Sequence, residues 1–167
     1  MSSKFYLPSL LAGFGAAVIA TIPGIKEFGC CIIIPLAVFT AQLLFRKTMN
    51  NDQNLSVKIS LLIGLFTGIF AALFTTFFDI IITLFTHSND FVQTLPQTIR
   101  ILDNLKFGDA AKQTIDLMKG MSNEITATGF SLLYALFILI SNLIVDSIFG
   151  LLGGLLGRIL VNRRINI

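Results

Sequence analysis

The chain has 167 residues, of which 54% are hydrophobic and 13% charged, with a formal net charge of +3 and a mean hydropathy of +0.85. Soluble domains carry about 25% charged residues, so this share leaves too little polar surface to cover a globule of this size. The mild positive charge clusters at the edges of apolar runs and forms no nucleic-acid stripe, so no nucleic-acid partner is expected.

Four apolar runs follow one another along the chain, each near the ~20 helical residues that cross a bilayer core of about 30 Å. The first covers about 6–22 and closes at Pro23-Gly24, a turn signal. Its start has signal-peptide features, with Lys4 before an apolar stretch and Val18-Ile19-Ala20 as a cleavage-like triplet. Pro8 and the second apolar run close behind argue for a retained span. That second run, about 28–45, ends at Arg46-Lys47 and makes a hairpin with the first. The third covers about 59–86 and the fourth about 130–161. Both exceed the minimum length, which predicts tilt, a kink or extension beyond the bilayer. No linker-like shift in composition divides the sequence, so one integral membrane domain, 1–167, is expected.

Between the third and fourth runs, Leu95, Ile99, Leu102 and Leu105 recur at helical spacing, as do Ala111, Ile115, Met118 and Met121. These predict amphipathic helices over about 91–107 and 109–120, with Asp109 as a new N-cap and Gly120 as a stop. They are expected on the membrane surface or over the ends of the spans. Basic residues then set the orientation. Lys4, Arg46, Lys47, Lys58, Arg158, Arg163 and Arg164 fall on one side, whereas five acids outnumber four bases in the long loop. Both termini are expected in the cytoplasm and the loop outside, in an all-α, four-helix transmembrane fold with an extracytoplasmic helical segment.

Asp79 and Asp146 are the lone acids of the last two runs. A central Asp costs about 2.5–3.5 kcal/mol on insertion, and each Leu, Ile, Phe or Val returns about 0.3–0.6. With roughly seventeen and about twenty such residues, both runs insert with the acid aboard. Intramembrane acids mark polar contacts or functional sites. Gly64, Gly68, Ala72, Thr75, Asp79 and Thr83 share one helical stripe, and Asn142, Asp146, Gly150, Gly153 and Gly157 share another. Gly64/Gly68 and Gly150/Gly154 are GxxxG pairs that let helices approach closely. Each acid thus faces the protein interior. In an antiparallel pair their depths differ by roughly 10 Å; sliding or tilting closes part of that gap without implying contact, and separate partners fit equally: Thr75, Thr76 or Thr83 for Asp79, and Asn142 for Asp146.

Cys30 and Cys31, adjacent in sequence, fit neither a zinc motif nor a disulfide framework and read as small buried hydrophobes. The single histidine, His87, builds no metal site, and no Ser-His pair or P-loop is present. The aspartates lack the Gly-x-Gly-Asp context of intramembrane aspartyl proteases. No catalytic residue, metal or cofactor is therefore expected. The leading expectation is a non-enzymatic structural, accessory or assembly subunit, whose partners are the bilayer and other membrane subunits or further copies of the chain. The alternative is a proton- or ion-coupled transporter or channel component using Asp79 and Asp146, with Asn142, Thr75 and Thr83 beside them. The order Ile22-Pro23, Cys30-Cys31, a short basic loop after Arg46, the Gly64/Gly68 helix and the stretch from Phe149 to Gly157 resembles a family of small bacterial four-span membrane proteins of unknown function. That resemblance implies an inner-membrane setting and assigns no activity.

Overall fold

The computed structural model describes residues 3–22, 24–49, 54–104 and 108–163, without the side chains of residues 3–5, 27, 30 and 163. Six α-helices make up the described chain, with no strand among those residues: α1 (Ser3–Ala20), α2 (Ile34–Met49), α3 (Val57–Thr86), α4 (Asp90–Asn104), α5 (Asp109–Thr128) and α6 (Leu132–Arg163). Three stretches are long and apolar enough to cross a membrane: Cys31–Met49, Val57–Thr86 and Leu132–Asn162. Large apolar side chains stay exposed along them, among them Leu36, Phe77, Phe137, Ile144 and Leu156. Surfaces of that size and polarity mark a membrane or a partner.

The chain divides into two compact units, one of Met1–Phe78 with Leu139–Ile167 and the other of Asp79–Ile138. In the first unit, α1 runs parallel to α3. Ser9 Oγ donates to the Ile63 carbonyl at 3.5 Å, and one turn on a Cβ at Gly13 would lie 2.9 Å from Ala71 N and Thr67 O. Aromatic edges lock this contact: Tyr6 on Phe66 at 5.0 Å and Phe14 on Phe74 at 5.2 Å. Ala12, Ala16, Ala17 and Ala20 are buried on the inner side of α1.

The run expected over 28–45 is not one regular helix. A 3-10 turn at Lys26–Phe28 leads into a π turn at Gly29–Ile33, and α2 then continues to Met49. Pro35 has no N–H to give the preceding turn, and Ile34 N–H reaches back to the Gly29 carbonyl instead. Cys31 is exposed on this turn, so it is not the buried hydrophobe expected from sequence. The side chain of Cys30 lies outside the described residues, as does Pro23. The first helix stops at Ala20, and Thr21 and Ile22 turn, with Thr21 Oγ1 bonded to the Val18 carbonyl at 2.7 Å. Its apolar part, Tyr6–Ala20, is shorter than the other three.

The second unit shows a second departure. Gly120 does not stop α5, which runs on to Thr128 because Ser122 and Ile125 continue the buried stripe of Ala111 and Ile115. The true stop is Gly129, left-handed at φ 75°, whose N–H meets the Ile125 carbonyl at 2.7 Å. A side chain there would also press on Leu84, 2.6 Å from its carbonyl oxygen. Gly108, and not Asp109, occupies the N-cap position of α5, without a side-chain cap. Asn89 caps α4 by accepting from Val92 N–H at 3.0 Å, and Leu95 is its buried anchor. His87 takes a left-handed φ of 52° where α3 ends, with its N–H on the Thr83 carbonyl at 2.8 Å. The expected extension of α4 over 105–107, Leu105 included, lies outside the described residues.

Candidate functional site

Of the functional residues expected from sequence, Gly64, Gly68, Asn142, Asp146, Gly150 and Gly154 meet at the interface of α3 with α6. Those helices run antiparallel, with Gly64 against Gly150, Gly68 against Asp146 and Ser60 against Gly154. A Cβ on Gly64 would collide with the Gly150 carbonyl, one on Gly68 with the Asp146 carbonyl, and one on Gly150 with the Gly64 carbonyl. Backbone therefore meets backbone along two turns of each helix, an approach open only to residues without a side chain.

The glycines of α6 do not form the single stripe expected. Gly150 and Gly154 face α3, whereas Gly153 and Gly157 face α2: a Cβ on Gly153 would lie 2.8 Å from Pro35 Cα, and one on Gly157 2.8 Å from Gln42 Oε1. A three-residue step on a helix of 3.6 residues per turn moves the side-chain direction by about 60°, enough to serve a neighbouring helix. Both GxxxG pairs are used inside the chain.

Asp146 sits in this seam with 8% of its surface exposed. Among the described residues its carboxyl has no hydrogen-bond or ion-pair partner. Asn142, its expected companion, instead crosses to α3 and donates from Nδ2 to Thr76 Oγ1 at 3.0 Å. The pairing gives the buried hydroxyl of Thr76, 4% exposed, a hydrogen-bond partner. Asp79 belongs to the second unit, is partly exposed, and is engaged by a neighbour. In sequence it is eleven residues on from Gly68, the residue facing Asp146. Thr83 is taken by Asn89, whose Nδ2 donates to its Oγ1 at 3.4 Å, and Thr75 is partly exposed.

A second polar group was not foreseen from sequence. Gln42, fully buried on α2, donates from Nε2 to the Gly154 carbonyl at 2.8 Å, while its Oε1 and the buried Ser60 Oγ have no partner among the described residues. The signal was present: Gln42 is the one amide in the run from Phe28 to Phe45, on the stripe of Val38, Ala41 and Phe45. Toward the ends of these helices, Arg46 Nη1 donates to the Val161 carbonyl at 3.1 Å and Arg158 Nε to the Leu55 carbonyl at 2.9 Å. Asn162 closes on the same residue, accepting from Leu55 N–H at 3.0 Å. Ser56 then caps α3 by accepting from Ile59 N–H at 3.3 Å.

Two cavities lie away from this seam. An apolar groove of about 410 Å³ runs between α1 and α2, lined by residues such as Leu11, Gly15, Ala37 and Leu44. In the second unit a shallow hollow of about 530 Å³ lies along α5, where Asp116 and Glu124 flank Leu117 and Met121. No cluster of His, Cys, Asp and Glu suited to a metal ion occurs among the described residues. No family model matches the chain, and no curated protein or solved structure shows a significant match to it.

Proposed function

We propose that the chain is a four-span integral membrane protein without a catalytic centre, acting as a structural, accessory or assembly subunit. In this reading α1, α2, α3 and α6 span a bacterial inner membrane as a bundle, with both termini in the cytoplasm and α4 and α5 outside. The observation that carries it is the glycine seam. It brings the backbones of α3 and α6 into direct contact at Gly64, Gly68, Gly150 and Gly154. The apolar outer faces remain for lipid and for helices of partner subunits or further copies. Gly15 supports this reading, because it opens onto the α1/α2 groove and meets nothing within 4 Å. Purification from membranes in mild detergent should yield a discrete complex with other chains or a homo-oligomer. A strictly monomeric particle would count against the proposal.

Asp146 favours a second reading, an ion-coupled carrier or channel component. A buried acid without a hydrogen bond is costly to keep, and reversible binding of a proton or cation gives such a group a use. Asp146→Asn in liposomes would then abolish proton or cation flux while the fold persists. Flux equal to wild type removes this reading.

A further inference from the structure

The end of α2, the start of α3 and the residues just before it line a cavity of about 230 Å³, with Phe45, Arg46, Met49, Leu55, Ser56 and Ile59 on its walls. It is smaller than the 300–1,000 Å³ usual for sites of drug-sized ligands, but has room for one compact charged group. Arg46 on its wall carries a fixed positive charge that no described acid compensates. Of its five N–H donors, Nη1 serves the Val161 carbonyl, and Nε is buried with no partner among the described residues. Arg158 bonds from Nε to the carbonyl of Leu55, a lining residue, and is likewise unpaired with any described acid. Ser56 already accepts from Ile59 N–H, so its hydroxyl proton remains to be donated.

The surrounding charge points the same way. By sequence the first unit holds eight of the twelve Lys and Arg residues and three of the nine acids, namely Glu27, Asp52 and Asp146. Asp52 lies outside the described residues, and Asp146 lies along α6 in the glycine seam, three turns before Arg158. Lys47 and Lys58 are exposed in the helical turns that flank the cavity. The first turn of α3 adds backbone N–H groups without intrahelical partners. Guanidinium groups suit phosphate because their planar donors match its oxygens two at a time. Phe45, Met49 and Ile59 give the other wall an apolar surface.

We propose that this cavity binds a phosphate group, carried by an anionic phospholipid headgroup or by a free phosphate, with Arg46 as its principal contact and Arg158 and Ser56 in support. The inference rests on the membrane reading above, since basic pockets between spans at the cytoplasmic face are where anionic headgroups are held. The full chain is reconstituted in phosphatidylcholine vesicles doped with phosphatidylglycerol, and the lipid retained after gentle delipidation is identified by native mass spectrometry. Wild type should retain phosphatidylglycerol over phosphatidylcholine. Arg46→Gln should weaken that preference about tenfold, the worth of a charge-assisted hydrogen bond. Arg158→Gln should weaken it less, and Lys119→Gln, a charge change in the second unit, should leave it unaltered.

Inorganic phosphate added to lipid-depleted wild type separates the two sources. Stabilisation by phosphate with no lipid preference assigns the site to a free phosphate, and lipid preference that phosphate does not displace assigns it to the phospholipid. Equal retention of both lipids together with no response to phosphate overturns the proposal, and so does unchanged selectivity in Arg46→Gln. If that variant fails to fold, the wild-type comparisons still decide. Resistance to alkaline carbonate extraction reports insertion independently, so an inserted chain without phosphate selectivity refutes this site while leaving the membrane reading intact.

Discussion

Gly64 and Gly15 are both helical glycines, yet one carries far more than the other. A methyl at Gly64 runs into the Gly150 carbonyl, and backbone cannot swing aside as the tip of a long side chain does. Helices α3 and α6 would have to separate, and overpacking of this kind costs about 1–3 kcal/mol. Gly15 opens onto empty groove, so an alanine there meets nothing and gains helix propensity. Gly64→Ala should therefore lower the thermal unfolding midpoint of the detergent-solubilised protein, while Gly15→Ala should leave it unchanged or raise it. Equal midpoints would show that the seam is not under packing constraint. The small-residue character of this face was readable from residue spacing alone. Which carbonyl each glycine meets was not, since the relative register of two helices is set by the whole length of their contact. The same reason hid the Asn142–Thr76 bond: a local i−4 partner was visible in the sequence, and one 66 positions away was not.

At the scale of elements, Gly120 separates propensity from context. A glycine in a helix interior costs roughly 0.5–1 kcal/mol against alanine, which made it a natural stop signal. Helix α5 passes through it because the buried positions Ile115, Ser122 and Ile125 lie on both sides and hold the turns together. A Cβ at Gly120 would meet nothing within 4 Å. Gly120→Ala should thus stabilise α5 locally, read as a roughly two- to fivefold slowing of amide exchange around that position in the intact protein. Unchanged exchange would mean that the helix is limited elsewhere. Helix ends elsewhere were legible wherever a local group decides them, as with the charged pair Arg46-Lys47 in the last turn of α2. The π turn before α2 was not, because Pro35 announces only a missing N–H and not that Ile34 N–H would reach back to the Gly29 carbonyl.

For the molecule as a whole, apolar length and charge placement were settled by sequence. Backbone groups in hydrocarbon must bond within their own segment, so long apolar runs dictate helices whatever their neighbours do. The three stretches of spanning length follow from that local rule. A lone acid within a long apolar run, too, is visible in the sequence that contains it. Tertiary structure decided what those features are for. It turned both GxxxG pairs inward and divided the glycines of α6 between α2 and α3. It left Asp146 buried without a partner among the described residues, placed Asp79 in the other unit, and drew Gln42, Arg46 and Arg158 into contacts more than a hundred residues away in sequence. A helix face records only which residues are small or polar. Which backbone comes close enough to need a glycine, or to offer a carbonyl, depends on how the helices pack.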